Sequence, residues 1–148
     1  MKLISHRGNL KGRKPDLENR PSYIDSAIQL GYEVEIDVRY EKGLFQLGHD
    51  TGDYTVDFNW LEKRTDYLWL HCKDIASAQI LSDKKHIRHF CHVEDPYVIM
   101  STGHIWVHDI RLDLNDRCII PLLGLEDIQH INLYKDKVYA ICTDYCIF

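Results

Sequence analysis

The stretch Glu33-Val34-Glu35-Ile36-Asp37-Val38-Arg39-Tyr40 alternates charged and branched apolar residues, and its reading decides the fold. Side chains of a strand alternate between faces, so Glu35 and Asp37 share one face and Val34, Ile36 and Val38 the other. Two readings stand open. In a half-solvated antiparallel strand the carboxylates simply face water. In a parallel strand covered on both faces they are enclosed, and they then need a cation or an arginine such as Arg7 or Arg39.

The flanking sequence favours the parallel reading. Upstream, Lys2 to His6 reads as a short strand, followed by a Gly-, Lys- and Pro-rich loop through Asp16. Pro21 at a first turn, Ser22 with Asp25 three residues later, and a stripe of Ile24, Ala27 and Ile28 predict a short helix that Gly31 stops. Downstream, Lys42 and Gly43 turn the chain into Leu44 to Gly48, a tight hairpin. Leu61 to Arg64 reads as a helical turn. Tyr67 to Lys73 is a third strand with Trp69, His71 and Lys73 on one side, and Asp74 caps a helix running to about Ser82. Strand, helix, strand, loop, strand, helix is the rhythm of α/β architecture.

Beyond Lys85 that rhythm compresses. Short apolar runs at Ile87 to Val93, Tyr97 to Met100, Ile105 to Val107, Cys118 to Leu123 and Val138 to Cys142 leave little room for helices between them. Ser101, Thr102 and Gly103 predict a hairpin turn, and only Leu125 to His130 has space for a helix. With 148 residues, no repeat and no linker, residues 1–148 are expected to form one domain.

Composition narrows the partners. A net charge of -5, with Lys and Arg concentrated only at Lys11, Arg13 and Lys14, disfavours nucleic acid. No apolar run nears the length of about 20 residues that spans a bilayer, so no membrane insertion is expected. Five cysteines, an odd number, and no apolar leader point to a reducing cytoplasm.

Chemistry gathers in the first half. His6-Arg7-Gly8 ends the first strand, and His49-Asp50 follows the hairpin. Two imidazoles flanking a cation held by Glu35 and Asp37 are the minimal kit for acid-base cleavage of a phosphate ester. His71 and Lys73 share a strand face, where a buried lysine calls for an anion, although a snorkelling lysine beside a core histidine fits the same pattern. His92 with Glu94 has the strand spacing to line the same pocket, but the later histidines as a group read as surface. Trp69 and Trp106 read as packing residues.

In order and approximate spacing, His6-Arg7-Gly8, Glu18-Asn19, Ala27 with Gly31, Glu35-x-Asp37 and His49-Asp50 resemble the glycerophosphodiester phosphodiesterases, within the phospholipase-C-like phosphodiesterase superfamily. The match is specific over residues 5 to 50, moderate at Leu68 to Lys73 and at Ala140 to Tyr145, and weak between. The resemblance implies a (β/α)8 TIM-like barrel; because such barrels need about 250 residues, this one is expected to be reduced, with several helices missing in its second half. It further implies hydrolysis of a small phosphodiester or sugar phosphate, with His6 and His49 as the acid-base pair. Arg7, Glu18, Asn19 and Lys73 would bind substrate, and Glu35 and Asp37 would hold Mg2+ or Ca2+. The family's third metal ligand is a Glu where this chain has His71, and imidazole suits Zn2+ or Mn2+ better. Non-catalytic binding of a sugar phosphate or phosphodiester is the alternative. A reduced barrel also leaves apolar flanks that suit a homo-oligomer.

Overall fold

The first and last strands lie side by side. In the computed structural model, which describes residues 1–147, β1 (Lys2–His6) pairs in parallel with β2 (Glu33–Glu41) on one side and with β10 (Ala140–Thr143) on the other. From β2 the parallel sheet runs to β5 (Leu68–Cys72) and β6 (His89–Phe90). From β10 it runs to β9 (Cys118–Pro121) and β8 (Ile105–Val107). Three strands pair antiparallel. These are β3 (Leu44–Leu47) on β2, β4 (Tyr54–Val56) on β3, and β7 (Tyr97–Ile99) on β8. The result is a curled, mixed, barrel-like sheet of an α/β protein. Its two ends meet where Ser101, just after β7, donates its N–H to the His89 carbonyl of β6 at 3.0 Å.

Helices are few and short: α1 (Pro21–Gln29), α2 (Phe58–Glu62), α3 (Ile75–Ser82) and α4 (Leu125–Ile128) among the described residues. The full strand-helix alternation of an eightfold barrel is absent from the second half, where β6, β7 and β8 follow one another without a helix. Parallel crossovers need a dozen or more residues, and these gaps are shorter.

Alternation along the strands separates three cores. Val34, Ile36 and Val38 of β2 point outward and pack with Ile24, Ala27, Leu61 and Leu81 from the helices. Ile120 and Ile141 do the same beneath Ile128 on the other half. The concave interior holds Ile4, Trp69, Phe90, Met100, Trp106 and Ile119. Glu33, on that inner face of β2, accepts from Lys2 at 2.6 Å, Trp69 at 2.7 Å and Arg88 at 2.9 Å, closing the N-terminal end of the interior.

Local readings met two exceptions. Asp74 caps α3 by accepting from the Ser77 N–H, as its sequence indicates. At α1 the N-cap is Arg20, whose side chain has no acceptor to offer and makes no cap bond; Ser22 and Asp25 lie inside the helix, and Asp25 pairs with Arg64 at 2.6 and 3.0 Å. The three-residue strand β4 is too short to signal itself in sequence and is held by its pairing to β3. Among the described residues no helix is long and apolar enough to cross a membrane.

Candidate functional site

All the parallel strands point their C-terminal ends to one side of the curl, so residues far apart in sequence meet there. His6 closes β1, opposite Glu35 in register. Asp37 stands opposite His71 on β5. Lys73 follows β5, His92 follows β6, His108 follows β8 and Asp144 follows β10. His6, Arg7, Glu35, His49, His71 and Lys73 line a single cavity of about 430 Å3, which Trp106, His92 and His108 complete on the opposite wall.

The carboxylates are enclosed: Glu35 is 2% exposed and Asp37 0%. Two buried charges cost several kcal/mol each unless compensated. Arg7 supplies part of the compensation, its Nε lying 2.8 Å from Asp37 Oδ2. Asn19 adds a two-way clamp, donating from Nδ2 to Asp37 Oδ2 and accepting from the Asp37 N–H, both at 2.9 Å. Arg39, the other arginine within reach by sequence, instead donates to the carbonyls of Gly48 and His49.

Backbone strain supports this clamp. Arg7 and Asn19 both adopt left-handed conformations, with φ of 57° and 61°, uncommon for residues other than glycine. They are tied together by the Asn19 N–H bond to the Arg7 carbonyl, and Arg7 N–H donates to the Glu35 carbonyl at 2.8 Å. The strained pair therefore grips β2 at the level of its carboxylates.

Glu18 sits behind Arg7. It accepts from Arg7, Asn9 and Arg13, each at 3.1 Å. Burial alone would raise its carboxyl, but these donors outweigh burial and hold it below the usual range. Glu18 and Asn19 line an adjoining cavity together with Arg7 and His49. Their hydrogen bonds make them supports for Arg7 and Asp37.

His6 is held by a residue whose role the sequence did not disclose. Asp144, 3% exposed, accepts from His6 Nδ1 and from Asn9 Nδ2 at 2.8 Å each. Because that oxygen accepts, Nδ1 carries the proton, and Nε2 is left facing Glu35 Oε2 at 3.9 Å. The signal in sequence was only an Asp after the last apolar run, and the pairing of β1 with β10 was needed to give it meaning.

His49 sits at the rim, with its side chain about half exposed and Nδ1 2.7 Å from Asp50 Oδ1. Its placement comes from Gly48, whose N–H bonds the Asp37 carbonyl at 3.1 Å. A Cβ at Gly48 would stand 1.8 Å from the Thr51 carbonyl oxygen, so only glycine lets the chain pass.

Glu35, Asp37 and His71 each offer one ligand atom, all within 4.8 Å of one another. Glu35 Oε2 and Asp37 Oδ1 are buried and receive no hydrogen bond. Burial would push the Glu35 carboxyl up; the His71 and His6 imidazoles and the Arg7 guanidinium reverse this and hold it down to about 2. Two buried carboxylates, each with an oxygen that receives no hydrogen bond, beside an imidazole suit a dication. No family model matches the chain, and no curated protein or solved structure matches it either.

Proposed function

We propose that this protein is a metal-dependent phosphoric diester hydrolase on a reduced (β/α)8-like barrel, acting on a phosphodiester with a small alcohol headgroup. The observation that carries the reading is the meeting of His6, His49, Glu35 and His71 around one cavity, with Asp37 clustered behind it against Glu35 and His71, from four separate segments of the chain.

In this reading a dication on Glu35, Asp37 and His71 would neutralise nonbridging phosphate oxygens. Arg7 adds positive charge beside the same point, with Asp37, Glu35 and Glu18 offsetting the burial that opposes its charge. Lys73 reaches the cavity from the end of β5 and is a mobile partner for the phosphate. His6, with Nδ1–H fixed on Asp144, offers Nε2 as the proton acceptor for the attacking oxygen of water or of a substrate hydroxyl. His49, at the wetter rim, serves as the donor to the departing alcohol.

One feature favours a second reading, non-catalytic binding of a sugar phosphate or phosphodiester. The second half, where β6, β7 and β8 follow one another without a helix, leaves the cavity less able to exclude water from a reaction. Cleavage of bis(p-nitrophenyl) phosphate across a panel of dications separates the two. Hydrolysis lost on both His6→Ala and His49→Ala supports the enzyme, whereas either variant retaining turnover within a factor of two contradicts the assignment. Phosphoester binding without turnover in the wild type favours the second reading.

A further inference from the structure

We propose that the ion held by Glu35, Asp37 and His71 is a first-row metal dication, zinc or manganese(II), bound through His71 Nδ1, and that the His92 main chain enforces this choice. The inference rests on the metal site of the function proposed above and concerns which ion that site selects.

The argument begins with a carbonyl. His71 Nε2 lies 3.0 Å from the His92 carbonyl oxygen. A carbonyl only accepts, so Nε2 carries the proton in either charge state of the ring. Rotation of the ring is opposed by Phe90, which stacks on it at 4.6 Å and 14°. Nδ1 is thereby fixed toward the carboxylates, 3.5 Å from Asp37 Oδ1 and 3.6 Å from Glu35 Oε1.

In the neutral ring Nδ1 is a lone pair aimed at two carboxylate oxygens, an arrangement that a shared cation resolves. Asp37 is divided to match. Its Oδ2 takes the bond from Asn19 Nδ2 and lies against Arg7, while its buried Oδ1, facing His71, receives none. Donors about 2.1 Å from a tetrahedral ion stand about 3.4 Å apart, close to both separations seen here. Two carboxylates alone would serve magnesium or calcium equally well. A preoriented imidazole nitrogen is a ligand that magnesium and calcium use poorly and zinc uses well, and manganese(II), although it also favours oxygen, accepts it more readily than they do. A main-chain carbonyl fixing the tautomer of a ligating histidine is the outer support such sites need.

The test uses the full chain stripped of metal and dialysed against equimolar Zn2+, Mn2+, Mg2+ and Ca2+, with bound ions counted by mass spectrometry. One Zn2+ or Mn2+ per chain is expected, with Mg2+ and Ca2+ retained at least about 100-fold less. Co2+ in the same site should give visible d–d absorption and one hyperfine-shifted exchangeable proton, the Nε2–H of His71. His71→Glu should move the preference toward Mg2+ and Ca2+. Should that variant fail to fold, the Co2+ spectrum of the wild type decides. His92→Ala keeps the carbonyl and should keep the ion, as should His108→Ala; loss of the ion in either places it on the stacked His92 and His108 rings and overturns the proposal. A chain that retains no dication also overturns it. Zinc or manganese binding without hydrolysis upholds this inference and contradicts the enzyme, whereas hydrolysis supported by Mg2+ or Ca2+ with no preference for Zn2+ or Mn2+ does the reverse.

Discussion

His6 Nδ1 lies 2.8 Å from Asp144 Oδ1 across 138 positions of sequence, so the end of the chain sets the orientation of the imidazole at its beginning. Asp144→Asn keeps the shape but removes the charge and can present N–H where His6 needs an acceptor. Hydrolysis should fall at least about tenfold, by analogy with other carboxylate-histidine pairs, while metal content stays unchanged. A purely structural role would instead lower stability without altering the pH-rate profile.

Asn19 and Asp37 form a two-way support of the site, two buried hydrogen bonds at 2.9 Å. Asn19→Ala leaves both Asp37 groups short of a partner and places alanine at φ 61°. A loss of about 2–4 kcal/mol is expected from the unpaired polar groups and the strained backbone, measurable by urea unfolding. Asn19→Gly removes the same bonds but relieves the backbone, so it should be the milder of the two.

Glu33 governs acid sensitivity at the opposite end of the interior. Burial opposes its charge, but Lys2, Trp69 and Arg88 outweigh that, so its folded value lies below the ordinary 4.5. The sign follows from linkage. A lowered carboxyl stabilises the fold above the unfolded value, and that contribution is lost as pH falls from 4.5 through the folded value. Glu33→Gln should flatten the stability curve over this acid window and leave its shape near neutrality unchanged, which thermal melts at stepped pH would check.

The cysteines should react in sharply different order. Cys91 is exposed, whereas Cys72, Cys118, Cys142 and Cys146 are buried. Alkylation of the native chain should modify one thiol rapidly, at Cys91, and peptide mapping identifies it. Rapid labelling of Cys142 or Cys146 would show that the β10 end opens readily, against the packing described.

The first half of the fold was legible because each element there carries its own punctuation. Pro21 and Gly31 bound α1, Lys42 and Gly43 turn the hairpin, and Asp74 caps α3. The alternation in β2 correctly placed Glu35 and Asp37 on one face, and only the neighbouring strands β1 and β5 decided that this face is closed to water. The apolar run from Ile87 to Val93 yields only the two-residue strand His89–Phe90, since the chain then leaves the sheet and turns its His92 carbonyl toward His71. Such long-range partners have no local signature, which is why Asp144, the His92 carbonyl and the strained backbone of Arg7 and Asn19 were beyond sequence reasoning. The resemblance alone implies substrate roles for Glu18 and Asn19, and no local signal shows the hydrogen bonds they make to Arg7 and Asp37.

Phosphorus NMR of a glycerophosphodiester incubated with the metal-loaded chain tests the central claim most directly. The diester resonance should decline and a monoester or cyclic phosphate should appear, with no such change for His6→Ala carrying the same metal. A diester signal that persists with every dication, while the wild-type chain binds metal and ligand, would contradict the claim that this cavity cleaves phosphodiesters.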